Sequence, residues 1–577
     1  MNRTPASVIA HWFSSHDGLS HRLVPRWIFL RALGLIYFSA FYALVFQIRG
    51  LIGPNGLLPA GEYLEAIGRQ MGSSRYWFAP TLLWISSGDH MLTAICWAGM
   101  IASLLLVVNV WPRGMLLVCL VCFLSFVVAA QDFSGYQSDS MLLEAGFVSL
   151  FVAPAGFWPG LGRASPPSRA SYYLLQWEWF RIYFESGIVK LRSGDPEWRN
   201  FTAMDEYYQN GPLPTWIGWY AQHLPHWFHA FATGATLGLE LGLVLMLFLP
   251  RRWRIACFFI VTAWQIPVIL TANYTFLNYL VLVLGFLLLD DRFCLRFTPT
   301  KWKARLAAAM APGQVASRAP TVDAGELAPE AAASLGTQSS EKAMLRDASP
   351  AEAAPEAPHK AEPQAAPKRP HPVAAFRLAV TSVVLLWIFY NTTTLLLWML
   401  FPRLPLPVSP VAALDPLRIA NRYGLFAVMT RGRYEIEFQG SDDGQNWKAY
   451  PFKYKPQDLA QKPRIYAPYQ PRFDWNLWFA SLGSWRENLF VVSTEERLLS
   501  GSPDVLALFA GNPFPNAPPK EVRAVLWQYW FTSLPEKRAT GMWWKREFLG
   551  LYAPVISRDV DGKLVVLEWP QPLAPRQ

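Results

Sequence analysis

A chain of 577 residues that is 52% hydrophobic and only 16% charged, with a mean hydropathy of +0.17, carries too little charge to cover a soluble surface of its size. Its net charge of +10 does not point to nucleic acid, because the basic residues stand mostly beside apolar runs, where they orient helices. The five cysteines, Cys96, Cys119, Cys122, Cys257 and Cys294, all lie in or beside apolar runs, so no disulfide forms beyond residue 300; Cys119 and Cys122 have redox-motif spacing but read as small packing residues inside an apolar run.

Apolar runs of roughly 18–25 residues match a bilayer core of ~30 Å at 1.5 Å per residue. The first begins near Trp27 and reads as a retained helix, with no cleavable signal peptide. Candidate spans are 27–47, 89–109, 114–131, 139–153, 171–190, 227–249, 254–271, 275–289 and 375–400. The fourth is short enough to be tilted or partly re-entrant. The fifth carries Glu178, Arg181, Glu185 and Lys190, which hydropathy alone would nearly reject, but Trp, Tyr, Phe, Leu and Ile fill the positions between the charges.

Arg3, Arg22, Arg26, Arg113, Arg163, Arg169, Arg251, Arg252, Arg254, Arg292 and Arg296 fall in alternate loops, whereas 132–138 and 272–274 hold no Lys or Arg. The positive-inside rule then puts the N-terminus in the cytoplasm and the C-terminal region on the far side, in a periplasm or ER lumen.

The chain divides into a transmembrane helical domain of about eight spans, 1–299, and an Ala/Pro-rich cytoplasmic linker, 300–372, too poor in apolar residues to order. A ninth transmembrane helix, 373–402, leads to an exoplasmic β-rich domain, 403–577, with a sandwich or jelly-roll-like expectation. Within it, Arg433–Phe438 alternates with period two before a turn at 441–446, predicting a hairpin. Val522–Phe531 and Leu564–Trp569 read as strands, and 472–510 as helical.

Candidate chemistry concentrates in 171–229. Glu178, Arg181 and Glu185 share one helix face, with Lys190 about a turn beyond. Charges at membrane depth are costly and face a partner or a cavity. The bland reading is an ion-pair ladder with Lys190 snorkelling to the interface. Asp132, Asp139 and Glu144 form an acidic set at the outer ends of the third and fourth spans, either a carboxylate–lysine cluster or a solvated loop. Trp198, Trp216, His223 and His226 stand among prolines and aromatics as interfacial anchors or the rim of a pocket. His223 and His226 have i,i+3 spacing but no evident third ligand, so no metal is expected. Trp475 and Trp478 are core or an apolar contact surface.

Ser186-Gly-Ile-Val-Lys-Leu191, Thr202-Ala-Met204, Pro212-Leu-Pro-Thr-Trp216, Gly50–Pro59, Tyr434-Glu-Ile-Glu-Phe438, Pro471–Phe479, Asn512-Pro-Phe514 and Trp543-Trp-Lys-Arg546 together resemble the lipase maturation factor family, over nearly the whole chain outside the linker. That resemblance implies a membrane-bound helper in the folding of secreted lipases, without a cofactor, whose exoplasmic domain contacts client proteins and whose helices contact lipid. The cysteine-free C-terminal domain argues against a thiol-redox role, and the linker texture favours a bacterial inner-membrane member over the ER membrane of eukaryotic relatives. A remoter resemblance ties Tyr183–Lys190 and Asp195-Pro-Glu-Trp198 to vitamin K-dependent γ-carboxylases. It implies an alternative, an enzyme in which Lys190, supported by Glu185, Arg181 and Glu178, is a base on a reduced quinone, since burial frees a lysine amine at neutral pH. A transporter ranks below both, because the charges cluster at one helix end.

Overall fold

The computed structural model describes residues 5–301, 303 and 372–572; the expected linker falls almost wholly outside them. The membrane part is built from helices α1 (Leu23–Val45), α2 (Asp89–Val107), α3 (Pro112–Ala129), α4 (Gln137–Val152), α5 (Arg169–Arg192), α6 (His226–Phe248), α7 (Arg251–Thr271), α8 (Leu277–Leu288) and α9 (Pro372–Leu400). Six of these, α1, α2, α3, α6, α7 and α9, are long and apolar enough to cross a membrane. The 16-residue α4 and the apolar α8 are shorter, and α5 carries too much charge to qualify by composition. The chain is a membrane protein. Among the described cysteines, Cys96, Cys119, Cys122 and Cys257 are buried and free, as packing residues are.

One end of the bundle is closed by arginines on helix C-termini, where cations complement the macrodipole. Arg22 donates to the Leu288 carbonyl (3.2 Å) at the end of α8, and Arg113 Nε to the Ala153 carbonyl (2.8 Å) just past α4. Arg26 donates to the Leu161, Gly162 and Ser165 carbonyls at 2.6–2.9 Å. Asp291 accepts from the first free N–H groups of α1, those of Leu23 (3.1 Å) and Val24 (2.7 Å). Arg22, Arg26 and Arg113, three of the arginines that suggested an orientation in the sequence, therefore share one end of the fold, and Arg3 lies outside the described residues.

The C-terminal domain packs on the opposite end. It is an antiparallel six-stranded sheet of β1 (Arg433–Ser441), β2 (Lys448–Ala449), β3 (Glu521–Phe531), β4 (Trp544–Leu551), β5 (Val555–Arg558) and β6 (Leu564–Glu568). The order is β2-β1-β3-β5-β6, with β4 also on β3. The β-rich character matches the sequence, and the stretch expected to be helical, 472–510, supplies the layer packed on the sheet, α10 (Arg472–Leu482) and α11 (Leu489–Leu499). The apolar face of β1 explains this. Phe438 packs against Phe452, Phe473 and Phe509, rings supplied by the α10 side of the domain.

The polar face of β1 is also buried, which period-two alternation does not predict. Glu435 pairs with Lys455 at 2.9 Å and with Arg433, and Glu437 with Arg546 at 3.1 Å. Arg433 then donates to the carbonyls of Gln209 (3.1 Å) and Pro212 (3.0 Å) in the loop between α5 and α6. A face that would be solvated in an isolated domain is thus the face that meets the bundle.

Candidate functional site

Glu178, Arg181, Glu185 and Lys190 of α5 do not form one ladder. Arg181 is fully buried, pairs with Glu144 of α4, lies 3.9 Å from Glu185 and donates to the Asn421 carbonyl at 2.7 Å. Its guanidinium sits over the Tyr423 ring, 5.1 Å from the centroid. Glu178, expected in the ladder, is buried and makes no ion pair with Arg181 among the described residues.

What Arg181, Glu144 and Glu185 hold is a stretch of the C-terminal region. Five backbone N–H groups between residues 421 and 429 are taken by side chains of the bundle. Asn421 donates to Glu144 (3.0 Å), Tyr423 to Glu185 (2.6 Å), Gly424 to Gln137 (2.9 Å), Leu425 to Ser186 (3.2 Å) and Met429 to Asp195 (2.6 Å). The Tyr423 hydroxyl adds a bond to Glu144 at 2.8 Å. A segment without a strand partner has its donors met by side chains, the accounting that buried backbone requires. The charged face of α5 is a rail on which this segment lies.

A second insertion runs beside it. Residues 466–470 reach between α1 and α8: the Pro468 carbonyl accepts from Ser39 (3.0 Å), that of Ala467 from Tyr279 (3.1 Å) and that of Gln470 from Gln47 (2.9 Å). Arg472, at the start of α10, then makes a bidentate pair with Asp139 of α4, both contacts 2.8 Å, and donates to the Phe133 carbonyl at 2.7 Å. Both partners are fully buried.

The acidic set is therefore dispersed. Glu144 belongs to the rail, Asp139 to Arg472, and Asp132 stands exposed on a cavity wall, where partial burial raises its pKa. None of the three meets Lys190, and the expected carboxylate–lysine cluster does not form. The anchors scatter too. Trp216 stacks under Lys462 (4.2 Å) of the C-terminal domain, and His223 bonds the Trp219 (2.7 Å) and Thr532 (3.0 Å) carbonyls, both wedging against the sheet. His226 pairs with Asp205 at 2.9 Å. Among the described residues no group of three His, Cys, Asp or Glu could hold a metal.

Lys190 is buried. Its ammonium lies 2.8 Å from each carboxylate oxygen of Glu240 on α6 and 5.0 Å from the Trp198 ring centroid. Gly187 makes this possible, because a Cβ there would sit 2.8 Å from Leu241 and 3.0 Å from Glu240. Glu240 escaped the sequence reading, although a lone acid in an apolar run is the signal for it. The pair borders a cavity of about 270 Å³ walled by Ile182, Phe231, Trp264, Val268 and Val281.

A larger cavity, about 650 Å³, opens where the C-terminal domain meets the bundle. The 424–430 stretch forms one wall, α10 with Trp475 and Trp478 another, and Tyr136, Tyr207 and Tyr274 the rest. Tyr207, Leu277, Leu425 and Phe426 belong to both cavities. Phe426 holds a left-handed backbone (φ 56°), rare for a bulky residue, and its carbonyl accepts from Trp198 Nε1 at 3.0 Å.

Bundle, rail and docked sheet define a multi-pass membrane protein whose two halves fold onto one another, without an assembled nucleophile–base pair on the rail. The profile of the Lipase maturation factor transmembrane domain matches residues 24–296, and that of the Lipase maturation factor C-terminal domain residues 419–554, a match that begins at the rail segment. Lipase maturation factor 1 of Bos taurus is 31% identical over 95% of this chain and 91% of its own length. Lipase maturation factor 2 of Homo sapiens is 32% identical over 92% and 83%, and that of Gallus gallus 31% identical over 94% and 83%. No solved structure matches. The chain belongs to the lipase maturation factor family.

Proposed function

We propose that this protein is a membrane-bound maturation factor for secreted lipases or other exported proteins, acting as a folding helper without a cofactor. The observation that carries the reading is similarity across both halves, bundle and C-terminal domain, to proteins named for lipase maturation. The arginine-closed end faces the cytoplasm of a bacterial inner membrane, and the C-terminal domain is exoplasmic, where exported clients fold. Client polypeptide meets the junction of domain and bundle, and membrane lipid surrounds the helices. The test is deletion of the gene with assay of secreted lipases. The reading expects a loss of specific activity greater than the loss of lipase mass; unchanged yield and activity of every exported hydrolase overturns it.

The second reading is an enzyme in which Lys190 is the base on a reduced quinone or similar lipid. The cavity beside Lys190 favours it. The Glu240 pair opposes it, since the Lys190 amine is already engaged by both oxygens of a carboxylate at 2.8 Å.

A further inference from the structure

The cavity at the junction has a lining whose chemistry selects its occupant. Asp132 and Glu206 are its acids, and no Lys, Arg or His lines it. Among the described residues Asp132 makes no ion pair, and Glu206 accepts from the Asn210 amide at 2.7 Å and lies within the field of Arg431, which itself pairs with Glu197 at 3.1 Å. The walls between these acids are rings: Tyr136, Tyr207, Tyr274, Phe426, Trp475 and Trp478. Aromatic faces attract cations, and the two carboxylates do so at longer range. The other charged groups of this junction are already committed, Asp139 to Arg472, Arg181 to Glu144 and Asp195 to the Met429 N–H.

Trp475 and Trp478 give this wall its indole faces. Val428, 56% exposed on the opposite wall, adds an apolar lip. A volume of about 650 Å³ holds a few side chains and not a folded domain.

We infer that this cavity captures a short extended stretch of client polypeptide carrying a lysine or arginine among bulky apolar residues. The cationic side chain enters the ring-lined space toward Asp132 and Glu206, and the apolar neighbours lie on Val428 and the indole faces. A zwitterionic lipid headgroup would bring its phosphate against the same two carboxylates, so a peptide is the better complement. This rests on the maturation-factor reading and names what that factor would recognise.

The experiment uses the full chain in nanodiscs and fluorescent pentapeptides, acetyl-Leu-Phe-Lys-Leu-Phe-amide and its Glu and norleucine counterparts, read by anisotropy. The Lys peptide is expected to bind about tenfold more tightly than the Glu peptide, and that preference to collapse toward one in Asp132→Asn/Glu206→Gln. Val428→Arg, at an exposed position, should weaken the Lys peptide more than the norleucine one. Equal affinity for the Lys and Glu peptides, or a preference that survives the double substitution, overturns the proposal. So does displacement by choline chloride together with binding only in discs free of phosphatidylcholine, which reassigns the cavity to a headgroup. Peptide selectivity alongside unaltered secreted lipases would sink the maturation reading and leave the cavity's specificity standing; the reverse would do the opposite.

Discussion

Two groups of charge sit on the same helix, and they are built differently. Around Arg181 every partner is protein and several belong to the C-terminal region: Glu144, the Asn421 carbonyl and the Tyr423 ring and N–H. Two turns further along, Lys190 has one ionic partner, Glu240, and a cavity beside it. The first group joins two domains; the second joins two helices. Burying an ion pair gains little over a well-packed apolar pair, but breaking one side of it is expensive. The difference therefore predicts which substitutions undo the fold and which leave it.

The largest effects belong to the joining charges. Arg181→Met strands Glu144, and Arg472→Met strands Asp139, each in a fully buried site. Each should cost about 3–5 kcal/mol, seen as release of the C-terminal domain to limited proteolysis. Arg472→Met/Asp139→Leu should recover most of that loss; no recovery would mean the pair does more than neutralise a charge.

The next effect is a pH dependence confined to the C-terminal domain. Burial pushes the Asp474 carboxyl up to about 6, against the Lys455 and Tyr454 backbone N–H groups that pull it down. A carboxyl raised in the folded state favours folding while it is protonated in both states. That contribution is lost as pH climbs from the ordinary carboxylate range through about 6. Asp474→Asn should therefore gain stability relative to the parent between pH 4 and 7, by roughly 3 kcal/mol, measurable as tryptophan-monitored melting at each pH. A constant difference across that range contradicts the assignment.

Smaller again is Gly187→Val, which forces α5 from α6 where a Cβ has no room. Overpacking of this kind costs about 1–3 kcal/mol and should loosen Lys190 from Glu240 without freeing the C-terminal domain. Smallest is Asp205→Ala, which removes a half-exposed partner of His226 and should shift stability by under about 1 kcal/mol.

Much of this was legible before any coordinates. Apolar runs marked the spans, because hydrocarbon thickness sets helix length directly. The aromatic spacing between the α5 charges marked a helix that composition rejects, and the Arg433–Phe438 alternation marked β1. The partners of the charges were not legible. Arg472 and Asp139 are 333 positions apart, and Asn421 and Glu144 277. Local periodicity carries no term for such pairs, so three acids close in sequence looked like one cluster and proved to serve three purposes. The helical layer of the C-terminal domain was legible too, in the helical pattern over 472–510.

The most direct test of a factor that acts as a scaffold, and not through Lys190 chemistry, is the specific activity of secreted lipase in a deletion strain complemented with Lys190→Met/Glu240→Leu, with membrane insertion verified. Removing both charges keeps the site neutral, so the scaffold account predicts lipase activity restored to the parental level, whereas Arg181→Met in parallel fails to restore it. A double variant that inserts and folds yet leaves lipase activity at the deletion level would contradict the account and assign the work to Lys190.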